Sequence, residues 1–181
     1  EYPFQNPYMA TILGSSTLMI NGVSKSVPTK VYKTKLPGSI EVPENLWYND
    51  KFEFSLVPQK EKAPLIFLLA GTGSDYHAAR MVFFQRIFYD AGYSVISITS
   101  PMHSNFIINA SSNRMPGMIM DDGKDVYNVM KETYKIVKDK INVSDFYVVG
   151  YSLGATESAV VSYIDETEKA FNFKRVFMIN P

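Results

Sequence analysis

Phe146-Tyr147-Val148-Val149-Gly150-Tyr151-Ser152-Leu153-Gly154-Ala155 is the stretch from which the rest of the chain can be read. Its first four residues are aromatic or β-branched, as in a strand buried on both faces, and Ala155 to Ile164 has the character of a helix. Strand, tight turn and helix therefore follow one another, with Ser152 at the apex. The two glycines have a steric reason: strand and helix come so close around the turn that a Cβ at position 150 or 154 would clash. A serine held this way points its hydroxyl out from the carboxyl end of the sheet. It also lies beside the first N–H groups of a helix, which lack internal acceptors and carry partial positive charge. A Gly-x-Ser-x-Gly match arises by composition only about 0.05 times in a chain of this length. Together with its strand and helix context, the match reads as a nucleophile elbow rather than as a plain Gly-Ser turn.

Outward from this turn, Leu65 to Ala70 is continuously apolar, as a strand buried on both faces must be, and Ser94 to Thr99 and Arg175 to Ile179 repeat the type. Helical segments separate them. Ala78 to Asp90 is one, stopped by Ala91-Gly92, and Asp121 to Lys140 is another, with Val126, Val129, Met130, Thr133, Val137 and Ile141 on one face. Such alternation predicts an α/β fold with a parallel sheet covered on both sides. Ahead of it, Lys30 to Leu36 and Lys51 to Val57 alternate polar with apolar and read as a half-exposed antiparallel pair. Pro37 to Asp50 between them reads as a loop in which Trp47 plugs the edge of the core. Residues 1–28 read as an N-terminal extension, with Asn21-Gly22 as a two-residue hairpin turn, and residues 29–181 as part of one α/β domain.

The 181 residues are 46% hydrophobic, enough for one sizeable core. Lys plus Arg (18) balances Asp plus Glu (18), so no net charge draws the chain to nucleic acid or to an anionic membrane, and nucleic acid is not an expected partner. The absence of cysteine excludes a disulfide framework, a thiolate metal site and a cysteine nucleophile. No run approaches the roughly 18 apolar residues of a transmembrane segment. The sequence opens on Glu1 with no visible signal peptide. A removed leader would point to a secreted or periplasmic rather than a cytoplasmic protein, and a trimmed chain would open the same way, so the compartment stays open.

The antiparallel start, the strand-helix alternation, the Gly-containing loop after the first buried strand and the Gly150–Gly154 elbow together resemble the α/β-hydrolase family over residues 30–181. The resemblance implies that Ser152 is the nucleophile of a serine hydrolase of esterase or lipase type. The expected substrate is a small ester, with amides and peptides second, and the reaction needs no cofactor or metal. Ala70-Gly71-Thr72-Gly73 stands where the family carries an oxyanion loop of His-Gly-x-Gly type. The backbone N–H groups of Thr72 and Leu153 are then the expected oxyanion donors, with Gly71, Tyr151 and His103 as further substrate-side positions. Ala70 replaces the usual histidine of that loop, whose role in the family is structural.

A general base must take the serine proton, and the chain holds only His77 and His103. In the family the order is serine, acid, histidine, with the last two on loops after later strands, so neither histidine is the expected base. The resemblance thus implies that base, acid and further strands come from polypeptide after Pro181, as a remaining part of the same hydrolase and perhaps as a separate chain. The alternative function is a non-catalytic binding or interaction domain on the same fold.

Other signals are read against this. Gly71-Thr-Gly73 followed by Asp90 has the outline of a dinucleotide loop, but Tyr76 occupies the third glycine position and Asp90 ends a helix. Asp121, Asp122 and Asp125 read as cap and dipole partners of a helix start rather than as metal ligands. Glu157, one turn past the elbow, reads as a helix-surface or supporting residue rather than the catalytic acid. Ser100 to Met120 reads as a long loop whose Met102, Phe106, Ile107, Ile108, Met115, Met118 and Met120 either line the site, making the substrate apolar, or pack beneath other polypeptide.

Overall fold

The computed structural model describes residues 5–14 and 22–181. Of the hairpin expected at Asn21-Gly22, the first strand and Asn21 lie outside the described residues, and Gly22 has φ 95°. Among the described residues six strands form one sheet: β1 (Lys30–Thr34), β2 (Phe52–Val57), β3 (Ala63–Leu69), β4 (Ser94–Ile98), β5 (Val143–Tyr151) and β6 (Arg175–Ile179). Their order is β1-β2-β4-β3-β5-β6. The β1–β2 and β2–β4 pairs are antiparallel, and β4–β3, β3–β5 and β5–β6 are parallel. The helices are α1 (Pro7–Gly14), α2 (Ala79–Asp90), α3 (Ser104–Asn109), α4 (Ile119–Val137) and α5 (Leu153–Glu168).

The central strand explains the two-sided core. Along β3, Leu65, Phe67 and Leu69 enter one apolar cluster with Val126, Met130 and Val137 of α4 and Val161 of α5. Ile66 and Leu68, followed by Ala70, enter the other cluster with Met81 of α2. Successive strand residues point to opposite faces, so a strand with helices on both sides must be apolar throughout.

Alternation misleads at β2. The expected half-exposed strand is buried along nearly its whole length, because β1 and β4 flank it and α2 covers its polar face. Gln85 of α2 is itself buried, and its Nε2 donates to Ser55 Oγ (3.0 Å), Ser97 Oγ (2.7 Å) and Tyr76 O (3.2 Å). Serine at alternate positions here marks a buried polar seam, whose hydroxyls cost free energy to bury unless partnered.

The segment 100–120 is not one loop. Ser104–Asn109 forms α3, which buries Phe106 edge-on to Phe52 at 5.9 Å. Asn105 accepts from Glu53 N (3.1 Å) and donates to Lys51 O (2.8 Å), tying α3 to the start of β2. Met115, Met118 and Met120 are exposed. Trp47 is 74% exposed on the 3-10 turn Glu44–Asn49 and does not plug the core.

The acidic residues at the start of α4 act differently from the expected caps. Met118 holds the N-cap position, without a side-chain bond. Asp122 instead accepts from Gly117 N (2.6 Å), and Asp125 from Ser112 N (2.7 Å) and Oγ (3.0 Å), so both carboxylates hold the incoming loop against the helix. Among the described residues no group of His, Asp and Glu is arranged to hold a metal ion. No helix of the described residues is long and apolar enough to cross a membrane.

Candidate active site

Ser152 sits between the end of β5 and the first residue of α5 with φ 55° and ψ −124°. Few non-glycine residues adopt positive φ, and they persist there only where the surroundings impose it. Gly150 and Gly154 show how it is imposed. A Cβ on Gly150 would lie 1.9 Å from Gly154 O and 2.4 Å from Ser158 Oγ. One on Gly154 would lie 2.4 Å from Leu69 O, so its contact is with the neighbouring strand rather than with the elbow strand itself. Ser152 N donates to Ile179 O of β6 (2.9 Å), which ties the turn to the next strand.

The loop after β3 meets this turn. Gly71 to Ser74 is a turn closed by Ser74 N donating to Gly71 O (3.0 Å), and Gly73 takes φ 65° within it. Ser74 O accepts from Ser100 N (3.0 Å), and Tyr76 N donates to Thr99 Oγ1 (3.2 Å), fixing the loop to the end of β4. A Cβ on Gly71 would lie 3.1 Å from Tyr151 O and 3.2 Å from Ser152 Cβ, so the loop lies directly against the elbow. Gly71, Thr72, Ser74, Ala78, Arg80, Met81, Tyr151 and Ser152 line one cavity of about 280 Å³. Leu153, as the first residue of α5, has an N–H without an acceptor in its own helix.

The two histidines line a different cavity, of about 370 Å³, together with Lys33, Tyr48, Glu53, Asp75, Tyr76 and Asn105. His103 caps α3, its Nδ1 accepting from Asn105 N (3.2 Å). A neutral imidazole that accepts at Nδ1 carries its proton on Nε2, where it cannot take a proton from serine. Burial is the main reason its pKa lies below the ordinary value, with the nearby His77 adding to the shift and Asp75 opposing it. His77 is largely exposed, with Nδ1 3.2 Å from Asp75 Oδ1. The structure therefore brings Ser152, Gly71, Thr72 and Tyr151 together and leaves His103 outside that group. Met102, Met115, Met118 and Met120 do not line the Ser152 cavity either.

Arg80 stands out as a residue to which the sequence assigned no role, and Glu157 as one whose surface reading is corrected. Arg80, at the start of α2, lines the Ser152 cavity; a helix that begins a few residues after the loop against the elbow must turn its first residues toward it. Glu157 is fully buried, not on a helix surface, and neither carboxyl oxygen has a hydrogen-bond partner. Burial, reinforced by the charge of Asp122, pushes its pKa up to about 8. The signal was the spacing of Gly154, Glu157, Ser158, Val161 and Asp165, which share the inward face of α5.

No family model and no curated protein matches the sequence. Solved structures do match. Est1E from Butyrivibrio proteoclasticus is 15% identical with a TM-score of 0.52, over 81% of this chain and 48% of that one. Brefeldin A esterase, a bacterial homologue of human hormone-sensitive lipase, is 10% identical with a TM-score of 0.57, over 90% and 42%. A cold-adapted esterase from an Arctic intertidal metagenomic library is 12% identical with a TM-score of 0.57, over 81% and 61%. The chain spans about half the length of these structures and has the α/β-hydrolase fold that they share.

Proposed function

We propose that this chain carries the nucleophile of a serine hydrolase acting on small esters, amides and peptides being the lesser substrates. The observation that carries this reading is Ser152 held at positive φ between two glycines whose Cβ atoms would strike backbone, in a cavity shared with Gly71 and Thr72. The esterase fold of the matched structures supports it. In this mechanism Ser152 Oγ attacks the ester carbonyl carbon while a general base takes its proton. The Thr72 and Leu153 N–H groups hold the oxyanion. The carbon–oxygen bond to the alcohol then breaks, the alcohol leaves with the proton, and water cleaves the acyl-enzyme by the same steps.

Base and acid are supplied by polypeptide outside residues 1–181. Neither histidine lines the Ser152 cavity, which supports this, as does the outer side of β6, which pairs with no strand among the described residues. The test is steady-state hydrolysis of p-nitrophenyl acetate by the full-length natural protein and its Ser152→Ala variant. A loss of about a thousandfold or more in kcat is expected, the scale seen when a serine nucleophile is removed. Equal rates would remove Ser152 from the chemistry, and absence of turnover in both would favour a non-catalytic binding domain.

A further inference from the structure

Among the described residues, the only charged side chain lining the Ser152 cavity belongs to Arg80. Its guanidinium lies over the ring of Tyr151, 4.7 Å from the centroid, and Nη1 donates to Tyr151 Oη at 2.5 Å. Tyr151 is itself fixed: its ring packs against Phe84 at 6.0 Å between centroids, and its carbonyl lies against Gly71. An exposed arginine normally keeps its side-chain freedom and its hydration. Here that freedom is given up beside the nucleophile, and among the described residues no carboxylate pairs with the charge. A guanidinium offers five N–H donors in a fork that matches carboxylate and phosphate oxygens, and the Tyr151 contact uses one edge of it.

We propose that Arg80 selects esters bearing an anionic group, a carboxylate or a phosphate, close to the scissile carbonyl. Tyr151 is the platform that orients it. The inference rests on Ser152 being the nucleophile and adds the substrate class. The apolar substrate that the methionines would imply if they lined the site has no support here, since Met102, Met115, Met118 and Met120 lie outside the cavity.

The experiment compares kcat/KM of the full-length natural protein on two matched ester pairs. One pair is the p-nitrophenyl half-ester of glutarate and its terminal primary amide, with the charge on the acyl side. The other is the acetate esters of 4-hydroxybenzoate and 4-hydroxybenzamide, with the charge on the alcohol side. A tenfold or larger preference for the anion is expected in at least one pair, expressed mainly in KM. Arg80→Met should bring that ratio toward one, and Arg80→Lys should restore part of it. Equal rates within both pairs, or a preference that survives Arg80→Met, would overturn the proposal while leaving Ser152 as nucleophile. If no ester is turned over and a fluorophosphonate does not label Ser152, the hydrolase reading fails first and this one with it.

Discussion

At the residue scale the elbow concentrates its constraints on two missing methyl groups. Gly150→Ala places a Cβ within 1.9 Å of Gly154 O, and Gly154→Ala places one within 2.4 Å of Leu69 O. Neither contact can be relieved by rotating a side chain, so each substitution should cost at least the upper part of the ~1–3 kcal/mol typical of overpacking. Denaturant midpoints shifted by less than about 1 kcal/mol equivalent would mean that the turn is looser than described. Glu157 gives a pH dependence. Its carboxyl ionises near pH 4.5 when unfolded and near pH 8 when folded, so the unfolded state loses the proton first as pH rises. Stability is therefore intact below about pH 4.5, falls between there and pH 8, and levels off above. Glu157→Gln should unfold at nearly the same denaturant concentration as the parent at pH 5 and be clearly more stable at pH 8. A gap that does not grow with pH would show that the carboxyl is not held protonated.

At the element scale a single buried carboxylate joins α4, α5 and the approach to β6. Asp165 accepts from Tyr127 Oη (2.6 Å), Phe171 N (3.0 Å) and Phe173 N (3.1 Å). Asp165→Ala strands these donors and should cost about 3 kcal/mol or more, whereas Tyr127→Phe, which removes one of those donors and the weak acceptor of Ala170 N (3.3 Å), should cost about 1 kcal/mol. Equal costs for the two would deny Asp165 its organising role. The same elements show what a sequence can display. The doubly buried strands are legible because burial on both faces demands unbroken apolar runs, and the elbow because its glycines are sterically obligatory. The burial of β2 is hidden because Ser55 satisfies its hydroxyl through Gln85, which is distant in sequence. The short helix α3 is hidden too, since its cap is a histidine and its anchors are asparagine contacts to Lys51 and Glu53. Glu157 breaks the apolar pattern of a buried face, so only helical spacing from Gly154 reveals where it lies.

At the scale of the whole molecule, zero net charge leaves recognition to local features, and those converge where β3, β5 and the start of α2 meet. The strand beyond the elbow, β6, leaves Phe177 and Met178 about half exposed and its outer side unpaired among the described residues, an arrangement that further polypeptide would cover. The central claim is that this architecture activates one serine. The most direct measurement treats the full-length natural protein with a fluorophosphonate and follows the adduct by intact-mass and peptide mass spectrometry. The account predicts a single adduct on the peptide containing Ser152, absent in Ser152→Ala. No adduct on the native protein, or one that persists in the variant, would contradict it.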